Sequence, residues 1–251
     1  MNNILSVSNA FVSFGGVTAL NNASFGVPSG TVTALIGPNG AGKTTCFNVV
    51  SGLQGARGRI IFEGRDISKV SAHRRSGLGR TFQIVQLFGG MTVKESVMVG
   101  AHRRGGGNLV EVGLDLPRVR QAETDIEDQV NGILRRLELV KFKDRLASDL
   151  PLGQQRLVEL ARALASDPKL LMLDESASGL SPSELANLEV VIRQLVATGI
   201  SMLIVEHNIR FVRKVADHLV VLNFGDVIFE GQVDRGLASP AVISAYLGKA
   251  S

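Results

Sequence analysis

The sequence predicts an α/β fold built on a mainly parallel sheet. Three observations predict it. A complete phosphate-binding loop, Gly37-Pro-Asn-Gly-Ala-Gly-Lys43-Thr44, stands between a short apolar run and a helical segment. Strand-like and helix-like segments then alternate over the second half of the chain, and such alternation builds a parallel sheet. Between these parts, residues 90–150 read as helix. We read a helical subdomain over approximately 90–165, inserted into a single domain spanning 1–251.

Composition bounds the rest. The chain has 251 residues, 45% hydrophobic and 20% charged, the profile of a soluble globular protein. That length supports a core without disulfides or metal. Cys46 is the single cysteine, so no internal disulfide forms and no oxidising compartment is implied. The first ten residues lack a basic region followed by an apolar run, so no signal peptide is predicted. A membrane-spanning helix needs ~20 apolar residues, and stretches such as Ile200–Val205 are far shorter. The expectation is a cytoplasmic chain that does not itself cross a membrane. Net charge is +4, with arginines at Arg74, Arg75 and Arg80 and again at Arg103 and Arg104. A solvated face is the plain reading of these clusters. An anionic partner or a membrane-side surface is the alternative. The runs are short and carry few aromatics, which argues against nucleic acid.

The elements follow in order. Ile4–Val7, Ala23–Val27 and Thr31–Ile36 are β-rich, with Gly15-Gly16 and Pro28-Ser29-Gly30 as turn signals. Thr31–Ile36 suits a buried strand. A helix follows from about Lys43 to Val50, then a strand over Arg59–Glu63. Within the helical region Ile126, Val130, Ile133, Leu134 and Leu137 fall at helical spacing, and Gly105-Gly106-Gly107 interrupts it. Gln154–Ser166 reads as helix and Lys169–Leu173 as buried strand. Ser181 caps the next helix, Pro182 fits its first turn, and Glu184 completes a capping box. Leu185, Leu188, Ile192 and Leu195 form its core stripe. Ser201–Val205 is a further strand. Ligands of such sheets bind at the carboxyl ends of the strands.

Four motifs carry chemistry. In the phosphate loop, glycines let backbone N–H groups turn around an anion, Lys43 reaches phosphate oxygens and Thr44 offers a hydroxyl to magnesium. We assign Gly37, Pro38, Asn39, Gly40, Ala41, Gly42, Lys43, Thr44 and Thr45 to nucleotide binding. The helix starting at Lys43 adds its positive dipole end. Second, the apolar run Leu170–Leu173 ends in Asp174 and Glu175. Asp174 can hold magnesium, and Glu175 can polarise an attacking water. Third, Leu150-Pro-Leu-Gly-Gln-Gln-Arg156 opens a helix. It is either an anion site or an ordinary helix N-terminus, and physical chemistry alone favours the ordinary one. Fourth, Ile204-Val205-Glu206-His207 is a strand ending in a histidine. Such a histidine is functional only if it lies near a terminal phosphate.

The order and spacing of these motifs resemble the nucleotide-binding subunit of an ABC transporter, over essentially the whole chain. The resemblance implies a P-loop NTPase core with a mainly parallel sheet, an N-terminal antiparallel β subdomain and the inserted helical subdomain. It implies ATP and Mg2+, and two ATPases paired head to tail, each ATP lying between one subunit's phosphate loop and the other's signature. Phe14 corresponds to the base-stacking aromatic. Gln83, in Arg80-Thr-Phe-Gln83, corresponds to the glutamine that meets magnesium and the membrane domain. Leu150, Gly153 and Gln154 lie in the signature, and His207 matches the switch histidine. Lys43, Glu175 and His207 are then the catalytic set, with Thr44, Gln83 and Asp174 on the metal.

Departures exist. Pro151 and Leu152 replace the signature's serine and first glycine, so Gly153 and the following N–H groups would carry that contact. Ser176 stands where proline is common, and Ser181 replaces an aspartate used across the dimer. The signature, Arg80–Phe88, Met91-Thr-Val-Lys-Glu95 and Ala245-Tyr-Leu-Gly248 are similar to the longer ATPase of branched-chain amino-acid importers. The stretch from Gly100 to Ile126 fits that member. The resemblance implies a hydrolytic subunit on the inner face of the membrane, working with permease subunits, a second ATPase (self or paralogue) and indirectly a solute-binding protein. Amides, urea, aromatic acids or lipids are alternative solutes. A non-transport ABC ATPase is the alternative machine, though no tandem ATPase or long coiled coil marks one.

Overall fold

The structure, a computed structural model, describes residues 2–101 and 117–247. Along the chain these form β1 (Asn3–Phe14), β2 (Val17–Pro28), β3 (Val32–Ile36), α1 (Lys43–Ser51), β4 (Arg57–Phe62), β5 (Arg65–Asp66) and β6 (Leu78–Arg80). They continue as α2 (Val93–Ala101), α3 (Pro117–Arg136), α4 (Leu152–Ala165), β7 (Leu170–Asp174), α5 (Pro182–Ala197), β8 (Ser201–Val205) and α6 (Ile209–Val215). The last elements are β9 (His218–Asn223), β10 (Asp226–Gln232), α7 (Val233–Leu237) and α8 (Pro240–Leu247). Two compact units result. The first is Met1–Arg80, Lys169–Ser178 and Leu185–Ser251; the second is Thr81–Pro168 with Gly179–Glu184.

The first unit holds both sheets. A six-stranded sheet runs β10-β9-β3-β8-β7-β6. All its neighbours pair in parallel except β10 on β9. Its central strands β3, β7 and β8 are buried at every residue, as a sheet covered on both faces requires. A four-stranded sheet, β2-β1-β4-β5, is antiparallel throughout. The α/β class, the mainly parallel sheet and the N-terminal antiparallel sheet are all present as expected. The strands β1 and β2 run well beyond the predicted Ile4–Val7 and Ala23–Val27. Register shifts between Val7 and Ala10, with Asn9 at φ 50, break the simple alternation that sequence reading follows.

The arginine reading needs correction. Arg75 is 4% exposed, and it donates to the carbonyls of Val70, Val49 and Val50. It therefore closes the C-terminal end of α1, whose last carbonyls have no helical partner. Arg80 bonds Asn48, Ser51 and Asp174. Only Arg74 of this cluster is exposed. Arg103, Arg104 and Gly105-Gly106-Gly107 lie outside the described residues, as does part of the stretch from Gly100 to Ile126.

The second unit is helical. On α3, Val130 and Leu134 are buried, as is Leu137 just beyond it, while Ile126 and Ile133 are half-buried. Gln129 ties α3 to the end of α4 through the Ala165 carbonyl at 3.1 Å. Lys94 and Glu127 pair α2 with α3. On α5, whose residues from Leu185 onward belong to the first unit, Leu188, Ile192 and Leu195 are buried with Val191 beside them, and Leu185 is half-buried. No helix among the described residues is long and apolar enough to cross a membrane.

Candidate functional site

The phosphate loop leaves β3 at its carboxyl end and enters α1. Its shape demands glycine at two positions. A Cβ on Gly37 would lie 2.2 Å from the Leu222 carbonyl oxygen, and one on Gly42 would lie 2.3 Å from that of Ala19. Gly42 also has φ 101, in the left-handed region. It is the N-cap of α1 and offers no side chain, and the first turn holds no acid. The first amides of α1 therefore point out with their positive dipole end unmet, which is a ready anion site. Thr44 is exposed there, Thr45 is half-buried, and Asn39 and Gly40 are exposed.

Lys43 is 7% exposed. Its Nζ donates to the carbonyls of Gly37 at 2.7 Å and Pro38 at 2.9 Å. Burial lowers its pKa below the ordinary 10.5, while the charges of Glu175 and Asp174 pull it back up. Asp174 pairs with Val205 on β8 and Val205 with Leu35 on β3, so the two acids leave the same edge of the sheet as the loop.

Asp174 ends β7 and is 5% exposed. Its Oδ2 lies 3.0 Å from Arg80 Nη2. Glu175 follows at φ 49, a left-handed backbone that costs a non-glycine residue of order 1 kcal/mol. Two contacts hold it there. Its N–H donates to the Val205 carbonyl at 2.9 Å, and its Oε1 lies 2.5 Å from His207 Nε2. The end of β8 thus supplies both the backbone grip and the histidine. Glu206, 3% exposed, turns the other way and accepts the Ala177 N–H at 2.9 Å. Phe14 closes β1 opposite Val17 and is 50% exposed.

The first unit therefore brings together the phosphate loop, Asp174, Glu175 and His207. Gln83, Leu150, Gly153 and Gln154 belong to the second unit. There, α4 opens after Pro151, which has φ −56 and gives no side-chain cap. The Glu184 carboxylate instead lies against this turn: a Cβ on Gly153 would stand 2.1 Å from its Oε1. Glu184 also accepts the Ser181 N–H at 2.8 Å and hydroxyl at 2.7 Å, completing the predicted capping box. These bonds hold its carboxyl below the usual carboxylate range. Gln155 Nε2 reaches back to the carbonyls of Ser148 and Leu150. Ser181, where a cross-dimer aspartate is usual, is here a helix cap.

Sequence reading missed three contributors. Arg80 reaches Asp174, Glu184 lies against Gly153, and Tyr246 of α8 lies near Gly37. All three stood in quoted motifs, Arg80 in Arg80-Thr-Phe-Gln83, Glu184 in the capping box and Tyr246 in the C-terminal run, but no motif announced these contacts.

The family model described as ABC transporter matches residues 20–178, the span from β2 through the phosphate loop, the α4 N-terminus and the two acids. The chain belongs to the ABC transporter family. Its ABC relatives match over nearly the full length. The high-affinity branched-chain amino acid transport ATP-binding protein BraF of Pseudomonas aeruginosa is 38% identical over 251 residues, 98% of each chain. The probable branched-chain amino acid transport ATP-binding protein LivG of Archaeoglobus fulgidus is 39% identical over 248 residues, 98% of this chain and 95% of its own. Among ABC structures, the ADP conformation of an ATP-binding cassette superposes with a TM-score of 0.84 at 33% identity, covering 99% of this chain and all of the other. As an ABC ATPase, the chain binds nucleotide and hydrolyses ATP.

Proposed function

We propose that this chain is the ATP-hydrolysing subunit that energises an importer of branched-chain amino acids. One observation carries the chemistry: Glu175, held in a left-handed backbone against His207, follows Asp174 at the carboxyl end of β7, with only β8 between that strand and the one that opens the phosphate loop. The relatives' names support the solute.

The phosphate loop and the open N-terminus of α1 bind the phosphates, and Phe14 stacks on the base. Thr44 and Asp174 supply a hydroxyl and a carboxylate, hard oxygen donors of the kind magnesium takes alongside phosphate oxygens. Gln83 is a further proposed donor. When bound, magnesium neutralises charge that develops on the phosphate oxygens. Glu175 orients a water for in-line attack and accepts its proton. His207 holds the Glu175 carboxylate and faces the terminal phosphate. Lys43 stabilises charge on the leaving phosphates. Positioning and electrostatics do most of this work.

The chain sits on the inner face of the membrane beneath permease subunits, with a second ATPase, itself or a paralogue, paired head to tail. Leu150, Gly153 and Gln154 face the partner's nucleotide in that pair. A binding protein delivers the solute. Co-purification from membranes tests this reading, followed by ATPase assays of the complex with leucine, isoleucine, valine and chemically distant solutes. Stimulation by the three branched solutes alone is expected. No membrane partner, or stimulation only by a distant solute, contradicts it.

A further inference from the structure

Arg156, Glu159 and Arg162 recur every three residues along α4 and so share one face of the helix. Their side chains are 9%, 1% and 16% exposed. All three hold the backbone of one segment. Arg156 donates to the carbonyls of Phe82 at 3.1 Å and Gln83 at 2.8 Å. Glu159 Oε1 accepts the Gln86 N–H at 2.9 Å. Arg162 donates to the Gln86 carbonyl at 2.7 Å, and its guanidinium stands 5.5 Å from the centre of the Phe88 ring. Glu159 also lies 3.6 Å from Arg156 and 3.8 Å from Arg162.

Stability alone is a poor reason for this arrangement. Desolvating three charges is costly, and apolar residues of similar volume often serve as well. What apolar side chains cannot do is bond carbonyls and an N–H. The segment 82–88 has no regular secondary structure, so its backbone groups have no helix or ladder partners and these bonds come from side chains. It also exposes Ile84 at 77% and Phe88 at 48%.

We propose that Arg156, Glu159 and Arg162 form a latch that fixes the backbone of Phe82–Gln86 to α4, so that Gln83 and the exposed apolar surface beside it move with the helix opening at Leu152. The three are positioning residues. They act through the backbone of Gln83 and Gln86 and touch no reacting atom. The first arm of the test rests on the reading of Gln83 as a magnesium donor; the second does not.

The first arm titrates magnesium against ATP turnover in the full-length chain, with Gln83→Ala as reference. Arg156→Met is expected to raise the half-saturating magnesium concentration about tenfold, the usual effect of losing an outer-shell partner. Arg156→Lys should restore part of it, because an ammonium still donates to carbonyls. A folded Arg156→Met chain with unchanged magnesium dependence, beside a shifted Gln83→Ala chain, overturns the latch. If Gln83→Ala shifts nothing, the magnesium reading of Gln83 falls and the second arm decides. That arm is amide hydrogen exchange in the wild-type chain, which no misfolded variant can confuse. The Gln86 amide should exchange as slowly as amides within α4. Exchange at the rate of a free loop amide overturns the proposal.

Discussion

The molecule has two helix N-termini assigned to phosphate, and they differ. At α1 the cap is a glycine, the first turn has no acid, and the amides are unmet by any side chain. At α4 the cap is a proline, and a carboxylate from the same chain, Glu184, lies against Gly153 in the first turn. The first terminus is built for an anion that arrives from outside. The second already has an internal anion beside it. The sequence already favours an ordinary helix start at α4, and the structure adds the carboxylate that stands there. The difference teaches that nucleotide affinity in a single chain rests on the phosphate loop, and that any contribution from α4 requires Glu184 to move aside.

The largest expected effect follows from Lys43. Truncating a buried, hydrogen-bonded charge costs about 3 kcal/mol, or roughly 100-fold in affinity. Lys43→Ala should weaken ATP binding by that factor in a calorimetric titration; a loss of less than tenfold would move the weight of binding away from the loop. The same lysine gives a pH dependence. Its protonated form binds phosphate, and burial sets its pKa below 10.5. Affinity should therefore hold at neutral pH and fall, as pH rises, before 10.5 is reached. Affinity level up to pH 10.5 would show that Lys43 is not desolvated.

Smaller effects sharpen the contrast. A stacking aromatic contributes ~1–3 kcal/mol. Phe14 is half exposed, so Phe14→Ala should cost about fivefold in ATP affinity. An unchanged affinity removes Phe14 from the site. Glu184→Ala is expected to leave the ATP affinity of the single chain unchanged while lowering its melting temperature, because the cap of α5 is lost. A clear gain in affinity would mean that α4 binds phosphate without a partner subunit.

What could be read in advance was local. Gly37–Thr45 and the pair Asp174–Glu175 declare themselves because strand, loop and helix positions are fixed by neighbours in the chain. The capping box from Ser181 to Glu184 was legible for the same reason. Long-range contacts were not. Arg75 looked like surface charge because nothing nearby in sequence says that the carbonyls of Val49 and Val50 will face it. The approach of Glu184 to Gly153 and of Tyr246 to Gly37 depends on packing between distant segments. The left-handed backbone of Glu175 was equally hidden, since only its pairing with Val205 and His207 makes that strain affordable.

The central claim is that Glu175 serves hydrolysis and not binding. A single preparation of Glu175→Gln, assayed for both ATP affinity and steady-state turnover, tests it most directly. Affinity should match the wild type, while turnover falls by about 100-fold or more, the range general-base catalysis supplies. Turnover close to wild type, or a joint loss of affinity and turnover, would contradict the account.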